Sequence, residues 1–541
     1  MRTTLVALVS SLFIATPLFA DVKLPAIFGD HMVLEHDAKV PIWGWADAGE
    51  GIKITAGNAT ATATAGADGK WTASLQGLKT SDQPIDLTIV GKNTITLHDV
   101  LVGDVWVCSG QSNMEFNLGG GKYGFGGALS APEELPKADH PTLRLFIVKK
   151  KTAFEPQTDC VGEWKVCTPD SAGPFSAVGY FFGRDIQDDQ HIPIGLIGTY
   201  WGGTPAEAWT SLEGLKSAPE LQGYVNTITT LLADIPGTLK KYNEETLPHW
   251  KEESEAAQKK WQAAAAKAKA AGEPVPPKPN IRKPASPDNN PNLPTVLTNG
   301  MVAPIVPYAI KGAIWYQGES NAGQAKLYRT LFPTMITDWR TRWGEGDFPF
   351  FWVQLANFQA RKPDPTQAAD GWPGLREAQS MTLKLPNTGQ AVIIDIGQGN
   401  DIHPKDKADV GYRLSLAARH VAYGEDLVFS GPTYDSMKVE GDKIRISFKN
   451  IGSGLTIAAA PSTQRDVPQA DPATELKGFS IAGADHKFVW AHAVIDGDTV
   501  VVSSPDVHDP VAVRYAWANN PECNLYNKDK LPASPFRTDD W

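Results

Sequence analysis

Five segments between residues 101 and 425 carry almost no polar side chain before they end: DVWVCSG (104–110), IGLIGTYWGG (194–203), GAIWYQGE (312–319), FPFFWVQL (348–355) and QAVIIDIG (390–397). A strand of this kind has no face to give to water, so both faces must be covered. Helical stretches lie between the strands, among them FSAVGYFFGRDIQDD (175–189), LYRTLFPTMITDWRTRW (327–343) and GYRLSLAARHVAYG (411–424). Apolar strands alternating with helices require an α/β sheet over 101–425. Such a sheet places its chemistry at the carboxyl ends of the strands, and here each strand runs into small or polar residues.

The flanks read differently. Residues 21–100 contain short alternating runs (VPIWGWA, GIKITAG, TATATAG, KWTASLQ, IDLTIVG) separated by turn residues, which predicts an N-terminal sandwich-like β domain. From 426 to 541 the β signals return in KIRISFKN, GFSIAG, KFVWAHAVIDGDTVVVSS and VAVRYAW, predicting a C-terminal β domain. Residues 245–271 are helix formers that stop at Gly272, and a Pro-rich tail follows to 294. The pair reads as a solvated helix and linker inserted at about 245–294.

Residues 1–20 combine Arg2, an apolar stretch from Leu5 to Ile14 and a small-residue end at Ala20, the pattern of a secretory signal peptide cleaved near Ala20. No second long apolar run follows, so the expected location is secreted or periplasmic, with no membrane span. In that setting four cysteines can pair. Cys160 and Cys167 are the expected bridge, with Cys108 and Cys523 as buried thiols. A net charge of −11 without a basic cluster argues against nucleic acid as a partner. The glycine-rich run GGGKYGFGG (119–127) lacks the placement of a dinucleotide fingerprint and reads as a mobile loop near the site.

Four strand ends carry candidate chemistry in a fixed order: Ser112, then Gly202-Gly203, then Gln317-Gly318-Glu319-Ser320-Asn321, then Asp401-Ile402-His403. Singly, each has a bland account as a turn former, a tight bend, a helix cap or a surface histidine. Together they supply acyl transfer. A serine hydroxyl needs a base to take its proton, and histidine serves near neutral pH. Backbone N–H groups of a glycine turn and a side-chain amide can hold the oxyanion. HExxH and CxxC pairs are absent, so no metal or other cofactor is expected. The G-x-S-x-G elbow is absent too, because Ser112 sits in GQSNM.

These motifs resemble the sialate O-acetylesterase family of SGNH-type hydrolases: GQSNM (110–114), TYWGGTPAEAW (199–209), NGMVAPIVPYAIKGAIWYQGESNA (299–322), WPGLREAQ (372–379), DIHPKDKADVGYRLSLAAR (401–419), and the closing VRYAWANNPECNLYNKDKLPASPF. The resemblance spans residues 21–541 apart from the insertion. It implies a flavodoxin-like three-layer α/β/α core and an esterase that removes acetyl groups from sugar hydroxyls. Ser112 then matches the nucleophile and His403 the base, while the Ser112 and Gly203 backbones and the Gln317 side chain match the oxyanion hole. Asn321 is a further amide in that turn. Trp201, Trp209 and Trp315 flank the motifs and are available to stack on a sugar, although core packing accounts for them equally. Glu319 reads as structural.

The acid is open. The wider SGNH pattern has Asp three residues before its His, where this chain has Asn400; Asp401 stands two before. Asp401 is favoured, with Asp395 or a Ser–His dyad on a backbone carbonyl as alternatives. The substrate expected is an O-acetylated sialic acid. The alternatives are an acetylated plant polysaccharide of the xylan type, or a non-catalytic carbohydrate-binding role.

Overall fold

A computed structural model describes residues 21–365, 371–459 and 475–541; the expected signal peptide lies outside them. Its central strands are β1 (Thr94–Gly110), β2 (His140–Ile147), β3 (Trp164–Cys167), β4 (Ile194–Tyr200), β5 (Gly312–Tyr316), β6 (Phe350–Val353) and β7 (Thr388–Ala391), laid side by side as β7-β6-β5-β1-β4-β2-β3. All neighbours run parallel except β2 and β3. The carboxyl ends of β1, β4 and β5 therefore reach one edge in register, with Ser109 opposite Thr199 and Trp315, and Gly110 opposite Tyr200 and Tyr316.

Side chains along β1 alternate between two cores, as period-two geometry demands. Val105 and Val107 join one with Trp315, Trp352 and residues of α3 (Ala325–Trp343) and α4 (Trp372–Met381). Trp106 and Cys108 join the other with Tyr316, Phe351 and residues of α1 (Ala177–Gln190) and α5 (Lys407–Val421). Helices thus cover the apolar strands from both sides, in agreement with the α/β reading.

β1 is also part of the N-terminal β region. Its first half pairs antiparallel with Ser81–Val90, and Val33–Glu35 runs parallel beside Leu101–Gly103. One continuous strand thus passes from the small β unit into the central sheet, through the expected boundary near residue 100. The C-terminal region forms two four-stranded sheets and a two-stranded one around a core that includes Ile446, Phe479, Val500, Tyr515 and Phe536. It is tied to the sheet edge by buried Arg376, which donates to Leu355 O and Ala356 O on one side and to Ala518 O and Asn519 O on the other.

The insertion contains α2 (Leu247–Ala271), closed by left-handed Gly272. The Pro-rich tail runs back along it: Trp261 Nε1 donates to Pro276 O (2.8 Å), Trp250 Nε1 to Ile281 O (3.2 Å) and the Tyr242 hydroxyl to Pro284 O (2.9 Å). Proline lacks an N–H but keeps its carbonyl, so the tail can accept these bonds without joining a sheet.

The Cys160–Cys167 bridge is not present; all four cysteines are free. Cys160 packs into the core shared with Val105, whereas Cys167, at the end of β3, packs into the one shared with Trp106 and points toward Ala138 O. Sequence proximity does not bring the two sulfurs together across the sheet. Cys108 is buried as expected, and Cys523 is half-buried.

Candidate active site

Strand β1, which leads to Ser112, stops because the next strand leaves it no room. Gly110 has φ +139°, and a Cβ there would lie 2.2 Å from Tyr316 O. Gln111 N makes the last bond to β5, donating to Tyr316 O (3.0 Å), and the chain then turns into one helical turn, Ser112–Glu115. The first N–H groups of a helix have no intrahelical acceptor. That of Ser112 accordingly meets no protein acceptor among the described residues.

His403 arrives from the loop between β7 and α5. Its Nε2 lies 3.0 Å from Ser112 Oγ across 291 residues of sequence. Its Nδ1 is 3.4 Å from Asp401 Oδ1, and the same carboxylate oxygen accepts from the His403 backbone N–H (2.9 Å). Burial holds the His403 pKa below its ordinary value; Lys407 lowers it further and Asp401 opposes them. An imidazole kept neutral near pH 7 can accept a proton.

Asp395 is committed elsewhere. It forms a buried two-point pair with Arg413 (2.6 and 2.8 Å) and accepts from the Tyr526 hydroxyl (3.1 Å). Of the two carboxylates left open by sequence, only Asp401 sits beside the imidazole.

The glycine turn after β4 faces Ser112. Gly202 N donates to Glu115 Oε2 (2.6 Å), and the other Glu115 oxygen accepts from Lys150 Nζ (2.6 Å). Gly203, at φ +77°, has no protein acceptor for its N–H among the described residues. Two backbone donors, those of Ser112 and Gly203, are therefore without a protein acceptor among the described residues, at the Ser112 end of the sheet.

The amides of the β5 turn lie deeper. Gln317 is fully buried; Nε2 donates to Asn321 Oδ1 (2.6 Å) and Thr204 O (3.3 Å), and Oε1 accepts from the Tyr328 hydroxyl (2.9 Å). As placed it braces the turn, and it serves an oxyanion only by releasing the longer of its two bonds. Asn321 is equally buried, donating to Glu207 Oε2 (2.9 Å) and accepting from Ala206 N (2.9 Å), so it links two loops instead of facing a ligand. Trp209 and Trp315 are fully buried, edge to face at 6.0 Å, so of the two accounts open for them core packing holds and Trp209 is not available to stack on a sugar. Trp201 alone of the three is partly exposed, with Lys150 Nζ 5.5 Å from its ring centre.

Residues beside the named ones complete the site. Asn113 donates to Glu319 Oε1 (2.5 Å) and Ile402 O (3.0 Å) and accepts from Lys407 Nζ (2.6 Å), fastening the serine turn to the histidine loop. Burial draws the Lys407 pKa down to about 7 and raises that of Glu319. Glu319 is buried and holds Asn113, away from the Ser112 hydroxyl's own hydrogen bond to His403. Asn113 and Lys407 lay inside the quoted motifs and Glu115 directly follows GQSNM, but no local pattern marked their pairing. The glycine-rich loop is at the site, but pinned by Asn117, which bonds to Gly120, Tyr123, Phe125 and Gly127.

Comparison with known proteins identifies similar chains. The family model for carbohydrate esterase, sialic acid-specific acetylesterase, matches residues 298–420. The chain is similar to the sialate O-acetylesterase of Rattus norvegicus, 30% identical over 95% of this chain and 94% of that protein. It is similar to that of Homo sapiens at 30% over 82% and 76%. A crystal structure of a carbohydrate acetylesterase from Xanthomonas citri superimposes with a TM-score of 0.76 and 38% identity, covering 96% of this chain and all (100%) of that one.

Proposed function

The chain belongs to the sialate O-acetylesterase family and is a carboxylic ester hydrolase; from that premise we propose that it cleaves O-acetyl groups from sugars through an acetyl-Ser112 intermediate. Membership removes the non-catalytic alternative. The observation that carries the mechanism is the 3.0 Å approach of His403 Nε2 to Ser112 Oγ. His403 takes the hydroxyl proton as Oγ attacks the acetyl carbonyl, and the N–H groups of Ser112 and Gly203 receive the oxyanion. Asp401, beside Nδ1, orients the ring and favours its charged form. Collapse breaks the bond to the sugar oxygen, which leaves with the proton from His403. Water, deprotonated by the same imidazole, then releases acetate from Ser112.

O-acetylated sialic acid is the first substrate, supported by the curated relatives. An acetylated polysaccharide is the second reading, kept open by the 38% identity to a protein whose description, carbohydrate acetylesterase, names no particular sugar. We extend the proposal to a three-layer SGNH-type core over 101–425 flanked by β domains at 21–100 and 426–541, and to export with cleavage after Ala20, which N-terminal sequencing starting at Asp21 would support. The test of function is acetate release from p-nitrophenyl acetate, O-acetylated sialic acid and acetylated xylan. Ser112→Ala should abolish it on every ester the wild type cleaves, and equal rates for the two proteins would refute the mechanism.

A further inference from the structure

Phe125 is carried on the pinned glycine-rich loop. Asn117 N donates to Phe125 O (3.0 Å), and Gly127 N donates back to Asn117 O (2.9 Å). Between them Gly126 has φ +137°, and a Cβ there would fall 2.4 Å from Asn117 N, so the loop can press this closely only with glycine in place. The backbone beneath Phe125 is therefore fixed and its ring is held outward.

That ring stands beside the catalytic base. Its centre is 4.9 Å from that of the His403 imidazole, edge to face at 77°, and 5.4 Å from that of Phe116. Despite both contacts Phe125 remains 45% exposed. Leu129, 53% exposed, follows on the same segment, and its N–H donates to Lys405 O (2.9 Å), fastening the segment to the histidine loop. The exposed ring of Phe125 thus borders the imidazole.

The reaction fixes where the sugar must sit. His403 delivers its proton from Nε2 to the departing oxygen, so that oxygen lies within about 3 Å of Nε2. The sugar ring attached to it fills the next few ångströms, within reach of an exposed aromatic ring whose centre is 4.9 Å from that of the imidazole. One face of a pyranose presents C–H groups, which an aromatic ring covers well. We propose that Phe125 is the stacking platform for the sugar that leaves from the acetyl ester. The inference rests on the serine-esterase reading and goes beyond it by naming the residue that holds the leaving group.

The test compares kcat/KM for an O-acetylated methyl glycoside with that for vinyl acetate, whose leaving group has no ring. In Phe125→Ala and Phe125→Leu the sugar-to-vinyl ratio should fall about tenfold, from a higher KM for the sugar ester, and Phe125→Trp should restore it. Inhibition of vinyl acetate hydrolysis by the deacetylated glycoside should weaken in parallel. An unmoved ratio, whether both rates fall or neither does, overturns the proposal. Retention of vinyl acetate hydrolysis by Ser112→Ala would instead overturn the esterase reading, so the two failures are distinct.

Discussion

Replacing Glu115 with alanine removes the carboxylate that joins the helical turn of Ser112, the proposed nucleophile, to the glycine turn opposite it. One oxygen holds Gly202 N at 2.6 Å and the other holds Lys150 Nζ at 2.6 Å, with the side chain only 23% exposed. A hydrogen bond with one charged partner contributes about 1.5–3 kcal/mol, and loss of one oxyanion donor costs about 2.7–4 kcal/mol. The donor at risk is the next residue's N–H, on Gly203, which drifts once Gly202 is released. The expected fall in kcat is therefore between about tenfold and a thousandfold. KM should move less than about threefold, because the hole binds charge that develops only in the transition state. Glu115→Gln keeps an acceptor for Gly202 and should stay within about tenfold of the wild type. Steady-state hydrolysis of p-nitrophenyl acetate separates the two parameters. A Glu115→Ala enzyme with kcat within about threefold of wild type, or with its whole loss in KM, would refute the reasoning.

The acid limb of kcat/KM against pH reports His403, whose neutral form is active and whose pKa lies below its ordinary value, so the limb should fall below about pH 6.5. Asp401→Asn removes the charge that raises this pKa and should shift the limb to lower pH while slowing the reaction. Lys407→Met removes a charge that lowers it, and the limb should move to higher pH. Asp395→Asn should leave the limb in place and cost about 3–5 kcal/mol in chemical denaturation, because it strips buried Arg413 of its charged partner.

The unbroken apolar run Val105, Trp106, Val107 and Cys108 made the sheet legible, since a strand with two apolar faces has few other places to go, and its side chains do enter two cores. The order of the strand-end motifs, strengthened by the family resemblance, put Ser112 and His403 at one sheet edge, where the structure brings them to 3.0 Å. The choice between Asp395 and Asp401 was not, because it turns on side-chain direction, and Arg413 claims the former from the next helix. Trp201 and Trp209 look alike in sequence and differ only in how deeply the chain between them dives. Lys407 reaches Asn113 across 294 residues, a separation at which no local pattern survives. Phe125 sits among glycines with no periodicity to mark it, and only its exposed ring beside the imidazole gives it meaning.

Peptide mapping after treatment with diethyl p-nitrophenyl phosphate tests the pairing of serine and base most directly. The wild type should lose activity as one diethylphosphoryl group is added, carried by the peptide that contains Ser112, and His403→Ala should label far more slowly. Modification at another serine, or full labelling of Ser112 without loss of esterase activity, would contradict the account.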